Sequence, residues 1–168
     1  MTKSLSLADV RLTFQRAFGR WAAVIPITFV EINDVNYSDI KIGFYVDDGF
    51  TFNGLLRKTA HSFLPEIGLL HFDREELWVI DQDKLKFELT VDLETIDVHK
   101  IGHILGLDHS RIKSAIIYPT VGTQTRKVNL TNNDVDEIQQ LYGANPRVRA
   151  GAILWRREQV LVGACFWV

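Results

Sequence analysis

Two histidines four residues apart, His99 and His103, are followed by Gly106 and a third histidine, His109. This spacing constrains the chain more than any other feature. On a helix, positions i and i+4 project from one face a turn apart, so both imidazoles can reach a single ion. A glycine just beyond tolerates the positive φ that ends a helix, and the backbone can then turn back to bring His109 round. Three neutral imidazoles suit Zn²⁺ at about 2.0–2.1 Å and leave a fourth tetrahedral position open, as in catalytic rather than structural zinc sites. The competing reading of the same residues is a partly buried helix face without metal.

The remaining sequence suits one domain that could carry such a site. Its 168 residues are 46% apolar and 24% charged, the balance of a globular protein with its own core. Nineteen Lys and Arg stand against 21 Asp and Glu, a formal charge of −2. With no dense basic stripe, nothing favours nucleic acid as a partner. Cys165 is the single cysteine, which excludes an internal disulfide. The longest apolar stretch, Val160 to Val168, is too short to span a bilayer, and no basic-then-apolar secretory leader opens the sequence as it stands. A monomer is the default expectation.

Periodicity predicts three helices. The first, Leu7 to Ala23, carries Val10, Phe14, Ala17, Phe18 and Trp21 on one face, with Ser6 as N-cap. The second runs from Asp92 to Leu105 and carries the histidine pair. The third lies between Thr131 and Gly143, with Asp134 in its first turn and Val135, Ile138 and Leu141 as its apolar face. Strands are predicted at Ile27–Val30, Asp39–Tyr45 and Glu76–Ile80. Val46 to Leu70 reads as a long surface loop of the kind a bound ion or a function holds in place.

The run His99-x-x-x-His103-x-x-Gly106-x-x-His109 resembles the zinc signature of the metzincins. Its surroundings resemble the catalytic domain of the matrixins (matrix metalloproteinases), above all the plant ones. The helix from Arg11 to Val24, Asp39 to Phe44, Ala60 to Phe63, Tyr118-Pro119-Thr120 and Ile138 to Gly143 all follow in family order. The resemblance implies an α/β (α+β by some schemes) domain over residues 1–143, with a mixed, mostly parallel sheet, an active-site helix and a C-terminal helix. Residues 144–168 are left unassigned. It also implies zinc on His99, His103 and His109, a peptide or protein as substrate, and an extracellular or cell-surface location.

Several departures from the family change these expectations. Members carry glutamate after the first histidine as the general base of peptide-bond hydrolysis by zinc-activated water; here the position is Lys100. An ammonium cannot accept that proton, and it places positive charge beside the metal. The turn beneath the histidines has Ile117 where the family has methionine, a packing change that Tyr118-Pro119 accommodates. A second, structural zinc would rest on Asp48, His61 and His71, the fourth position being Val46. The calcium positions read Asn53, Gly54, Arg57, Lys58, Asp73 and Glu76, so calcium binding is expected to be weak. The family's first sheet strand has no counterpart before the first helix. The apolar segments Gly151–Leu154 and Val160–Val168 are candidates for that gap, while Trp155, Phe166 and Trp167 could instead be exposed. Three functions follow: a matrixin-like metalloendopeptidase with very weak or no activity, a zinc-binding pseudo-protease that holds peptides uncut, or a truncated relative without function.

Overall fold

The computed structural model describes residues 5–46, 49, 52, 58–63, 67–87, 89–146 and 158–165. Helix α1 (Leu7–Val24) begins at Ser6, whose hydroxyl accepts the Asp9 backbone N–H at 3.1 Å. Val10, Phe14, Ala17, Phe18 and Trp21 are buried along its inner stripe, as the 3.6-residue period requires. Strands β1 (Ile27–Ile32), β2 (Ile40–Tyr45), β3 (Ala60–Ser62) and β4 (Leu69–Asp73) follow. Two of these, β3 and the start of β4, fall inside the stretch expected to be one loop. Alternation there is too short to register, and pairing with a neighbouring strand is what extends the backbone. Strands β5 (Leu77–Val79) and β6 (Thr90–Asp92) form a separate parallel pair.

Helix α2 (Leu93–Ile104) starts at its N-cap Asp92, whose carboxylate accepts the Thr95 N–H at 2.8 Å. Helix α3 (Asn132–Tyr142) opens on a reciprocal capping box between Thr131 and Asp134 and ends at Gly143, with φ of 76°. Its inward face differs from the expected one. Asp134 and Ile138 are buried and the Tyr142 hydroxyl donates to Leu105 O at 3.0 Å, whereas Leu141 is 56% exposed. A buried carboxylate with several donors displaces the apolar side chain that hydropathy alone would have chosen.

The main sheet has the order β1-β7-β2-β4-β3 and is parallel throughout except for the β3–β4 pair. Strand β7 (Glu158–Cys165) comes from the tail that the sequence left unassigned. It fills the interior position between β1 and β2, pairing Val162 with Glu31 on one side and with Ile40 on the other. Interior strands leave no ladder edge open. Asp39 clamps the new strand twice: its N–H donates to Leu161 O at 2.8 Å and its carboxylate accepts the Leu161 N–H at 2.7 Å. Of the tail's other candidates, Gly151–Leu154, Trp155, Phe166 and Trp167 lie outside the described residues.

The β1-to-β2 connection crosses directly over Gly163. A Cβ added there would meet Ser38 Oγ at 2.5 Å, Ser38 Cβ at 2.8 Å and Val35 Cα at 3.0 Å. Gly163→Val should therefore cost about 1–3 kcal/mol of folding free energy through overpacking. Gln159→Val, at an exposed site on the same strand, should cost almost nothing. Urea denaturation of the two variants measures the difference.

Candidate metal centre

The floor of the site is set by how α2 is anchored. Glu94, in its first turn, is fully buried. It meets Arg20 at 2.8 Å, Arg126 at 2.6 Å and Arg16 at 3.2 Å. Burial alone would raise its pKa, but the hydrogen bonds from Arg20 and Arg126 and the charge of Arg16 hold it below the usual carboxylate value. Arg126 also reaches Asp92 at 2.7 Å. Trp21 adds an indole N–H donated to Val98 O at 3.0 Å. Gly102 lies between the two helical histidines, where a Cβ would collide with Ile117 Cδ1 and Trp21. Its missing side chain lets both pack against the helix. Ile117 is fully buried there, occupying the packing role expected for it.

Gly106, at φ of 94°, reverses the chain, with Leu107 N–H donating to Gly102 O at 3.0 Å. The reversal brings His109 beside the helical pair. One ligand atom from each of His99, His103 and His109 can be chosen so that all lie within 4.8 Å of one another. His99 Nδ1 lies 2.7 Å from Ile116 O, and His103 Nδ1 lies 2.7 Å from Leu107 O. A carbonyl only accepts, so each Nδ1 carries the proton and each Nε2 presents a lone pair. Those two Nε2 atoms stand 3.0 Å apart. Two acceptors face each other without a shared proton, which is repulsive unless a cation lies between them. Tetrahedral zinc with ordinary bond lengths needs ligand nitrogens about 3.3 Å apart, so this donor set fits that ion. The carbonyl partners also supply the outer-shell support that orients metal-binding imidazoles.

Burial lowers the His99 pKa to about 3, with the charges of His103, Lys100 and His109 adding to the effect. Burial likewise lowers that of His103. Both rings are therefore neutral at physiological pH, the form in which an imidazole can bind a metal.

Sequence reasoning missed Asp134 as a part of this site. Its carboxylate accepts Ile116 N–H at 3.0 Å and Ile117 N–H at 3.2 Å besides closing the α3 capping box. It thus holds the carbonyl that orients His99. The capping pattern was visible from Thr131 and Asp134; the second use of the same carboxylate was not. Ser110, next to His109, is tied in the same way, its N–H to Ile117 O at 3.0 Å and its hydroxyl to Asn133 at 2.6 Å.

Lys100 lines a cleft of about 280 Å³ together with His99, Lys58 and the wall Pro119–Gly122. It makes no hydrogen bond or ion pair among the described residues. Burial, then the nearby Lys58, lowers its pKa to about 8. Two of the other expected ligands are brought together by strand pairing. His61 and His71 face each other across β3 and β4. Asp73 and Glu76 are buried, and Lys58 is exposed at the cleft. Asp48, Asn53, Gly54 and Arg57 lie outside the described residues. Among the described residues, His99, His103 and His109 form the one cluster able to hold a metal.

A mostly parallel sheet, a helix carrying two histidines and a turn returning a third define a mixed α/β domain with a three-histidine cluster able to hold a metal. Residues 1–143 match the matrixin family, and the chain belongs to it. It is 47% identical over 157 residues to the metalloendoproteinase 4-MMP of Arabidopsis thaliana, covering 92% of this chain and 46% of that protein. Against 1-MMP of the same plant it is 44% identical over 163 residues, covering 95% and 45%. Matrix metalloproteinase-C of Caenorhabditis elegans is 38% identical over 153 residues, covering 85% and 26%. The chain thus spans less than half the length of these relatives.

Two predictions concern α2. Asp97 is fully buried and neither carboxyl oxygen has a hydrogen-bond partner among the described residues; burial, with Glu94 nearby, raises its pKa well above the usual value. Asp97→Ala should stabilise the fold by about 1–3 kcal/mol, the desolvation cost of an unpaired polar group, as read by chemical denaturation.

His99 titrates lower in the fold than in the unfolded chain. Below about pH 6.5 the unfolded state therefore takes up a proton that the folded state refuses. The contribution to stability is complete above that pH and declines towards pH 3, by on the order of 1 kcal/mol per pH unit. Metal-free protein should show this decline in its unfolding midpoint, and His99→Phe should flatten it.

Proposed function

We propose that this chain is a zinc-binding matrixin-type domain that receives peptides and hydrolyses them very weakly or not at all. His99, His103 and His109 hold the zinc. The observation that carries the reading is the pair of facing Nε2 lone pairs 3.0 Å apart, with Lys100 at the cleft beside them and without a partner among the described residues. When bound, zinc would polarise a water and the scissile carbonyl. The chain's own residues supply the remainder. His99 and His103 keep their protons on Nδ1 through Ile116 O and Leu107 O, and the wall Pro119–Gly122 borders the peptide.

What is lacking is a proton acceptor. Lys100 stands at the family's general-base position, where its ammonium has no lone pair to offer. Loss of a positioned base costs about 10²–10⁴ in rate. By analogy with the family, the domain works outside the cell or at its surface. Further occupancy belongs to the same proposal: a second zinc at Asp48, His61 and His71, and weak calcium at Asn53, Gly54, Asp73 and Glu76.

The test measures metal per chain by elemental analysis and turnover of a quenched peptide library, for this sequence and for Lys100→Glu. We expect stoichiometric zinc in both. Turnover should rise about 100-fold or more in the variant, as a restored base would give. Chelator-sensitive turnover by the unaltered chain equal to that of the variant would overturn the reading, as would loss of cooperative folding together with absence of zinc.

A further inference from the structure

The chemistry of the cleft wall selects among peptides. Lys58 and Lys100 contribute two amines, and Thr59, Thr120, Thr123 and Thr125 contribute four hydroxyls. The one acid among the described residues lining the cleft, Asp92, is already engaged by Arg126 at 2.7 Å and by Thr95. The described lining therefore presents donors without a free counter-charge. Lys100 is the sharpest case, because a half-buried amine without a partner among the described residues has lost part of its water and gained nothing in return. Its N–H groups point to an acceptor on a ligand, whatever the protonation state of the nitrogen.

We propose that this cleft recognises peptides through a carboxylate, received by Lys100 and Lys58 next to the three histidines. The inference rests on the peptide-binding reading above and adds the class of ligand. Lys58 is exposed at the mouth and attracts the anion at longer range. Lys100 gives the short, charge-assisted contact that fixes it. The hydroxyls of Thr59, Thr120 and Thr123 are the further donors for the second carboxylate oxygen, that of Thr125 being given to Thr123 O at 3.3 Å. The carboxylate can belong to an acidic side chain or to the end of a peptide. Both offer the same two oxygens.

Fluorescence polarisation with three labelled hexapeptides separates the possibilities. The first is an alanine–leucine sequence ending in an amide, the second has glutamate in place of its central leucine, and the third is the first with a free C-terminal carboxylate. Zinc content is measured on every preparation beforehand. At least one carboxylate probe should bind about ten-fold more tightly than the neutral amide, the equivalent of one charge-assisted hydrogen bond. Preference for the second probe assigns the site to acidic side chains, and preference for the third assigns it to chain ends.

Lys100→Met should bring the advantage down to about three-fold or less, and Lys58→Met should reduce it partly and weaken its salt dependence. Circular dichroism checks that each variant is folded, and either lysine suffices if the other variant is not. Equal binding of all three probes, binding of none by zinc-loaded protein, or a preference untouched by both substitutions would overturn the proposal. A chain that binds no zinc would instead defeat the metal reading. Its metal-free cleft should still prefer the carboxylate probes through Lys58 and Lys100, and indifference there would overturn this proposal as well.

Discussion

The buried carboxylate of Glu94, gripped by Arg16, Arg20 and Arg126, is the contact on which the rest of the structure depends. It ties α1, the start of α2 and the segment before α3 to one point. A carboxylate with no solvent exposure survives only when its lone pairs are satisfied, so these elements have little freedom relative to each other. His99 and His103 lie further along α2, and their positions inherit that rigidity. Asp134 does the same from the other side, holding the Ile116–Ile117 turn against the helix. The imidazoles are thus placed by two buried acids neither of which touches them.

The same helix breaks two local rules. Asp97 is a buried acid without a hydrogen bond among the described residues, and Lys100 is an amine facing a cleft whose described lining offers no free acid. Both sit within one turn of His99. Departures of this kind collect where function or its loss has reshaped a fold. They differ in character, however. Asp97 is sealed in the core, where no ligand can reach it, and it can only cost stability. Lys100 borders open space, so a ligand can answer it, and the changed charge becomes a changed preference.

Sheet completion shows how tertiary context settles what patterning leaves open. The segment Val160 to Val162 is apolar and mostly β-branched, suitable for a strand anywhere. Its register comes from Asp39, from the β1-to-β2 crossing that only a glycine fits beneath, and from the need of two neighbouring strands for hydrogen-bond partners. None of these partners lies near it in sequence. The parallel arrangement on both sides also buries Val162 on contact with β1 and β2, which a free strand could not achieve.

The helices, the histidine triad, the Gly106 reversal and the substitution at position 100 were legible in the sequence because each is local. Helical pitch places residues four apart on one face, a glycine permits a sharp turn, and side-chain chemistry is a property of the residue itself. Tertiary structure decided what depends on distant partners: which strand fills the interior of the sheet, which face α3 turns inward, and which acids brace the metal centre. It also decided that Lys100 and Lys58 share one cleft. Such pairings join residues tens of positions apart, and only the packed chain brings their charges and hydrogen bonds within range.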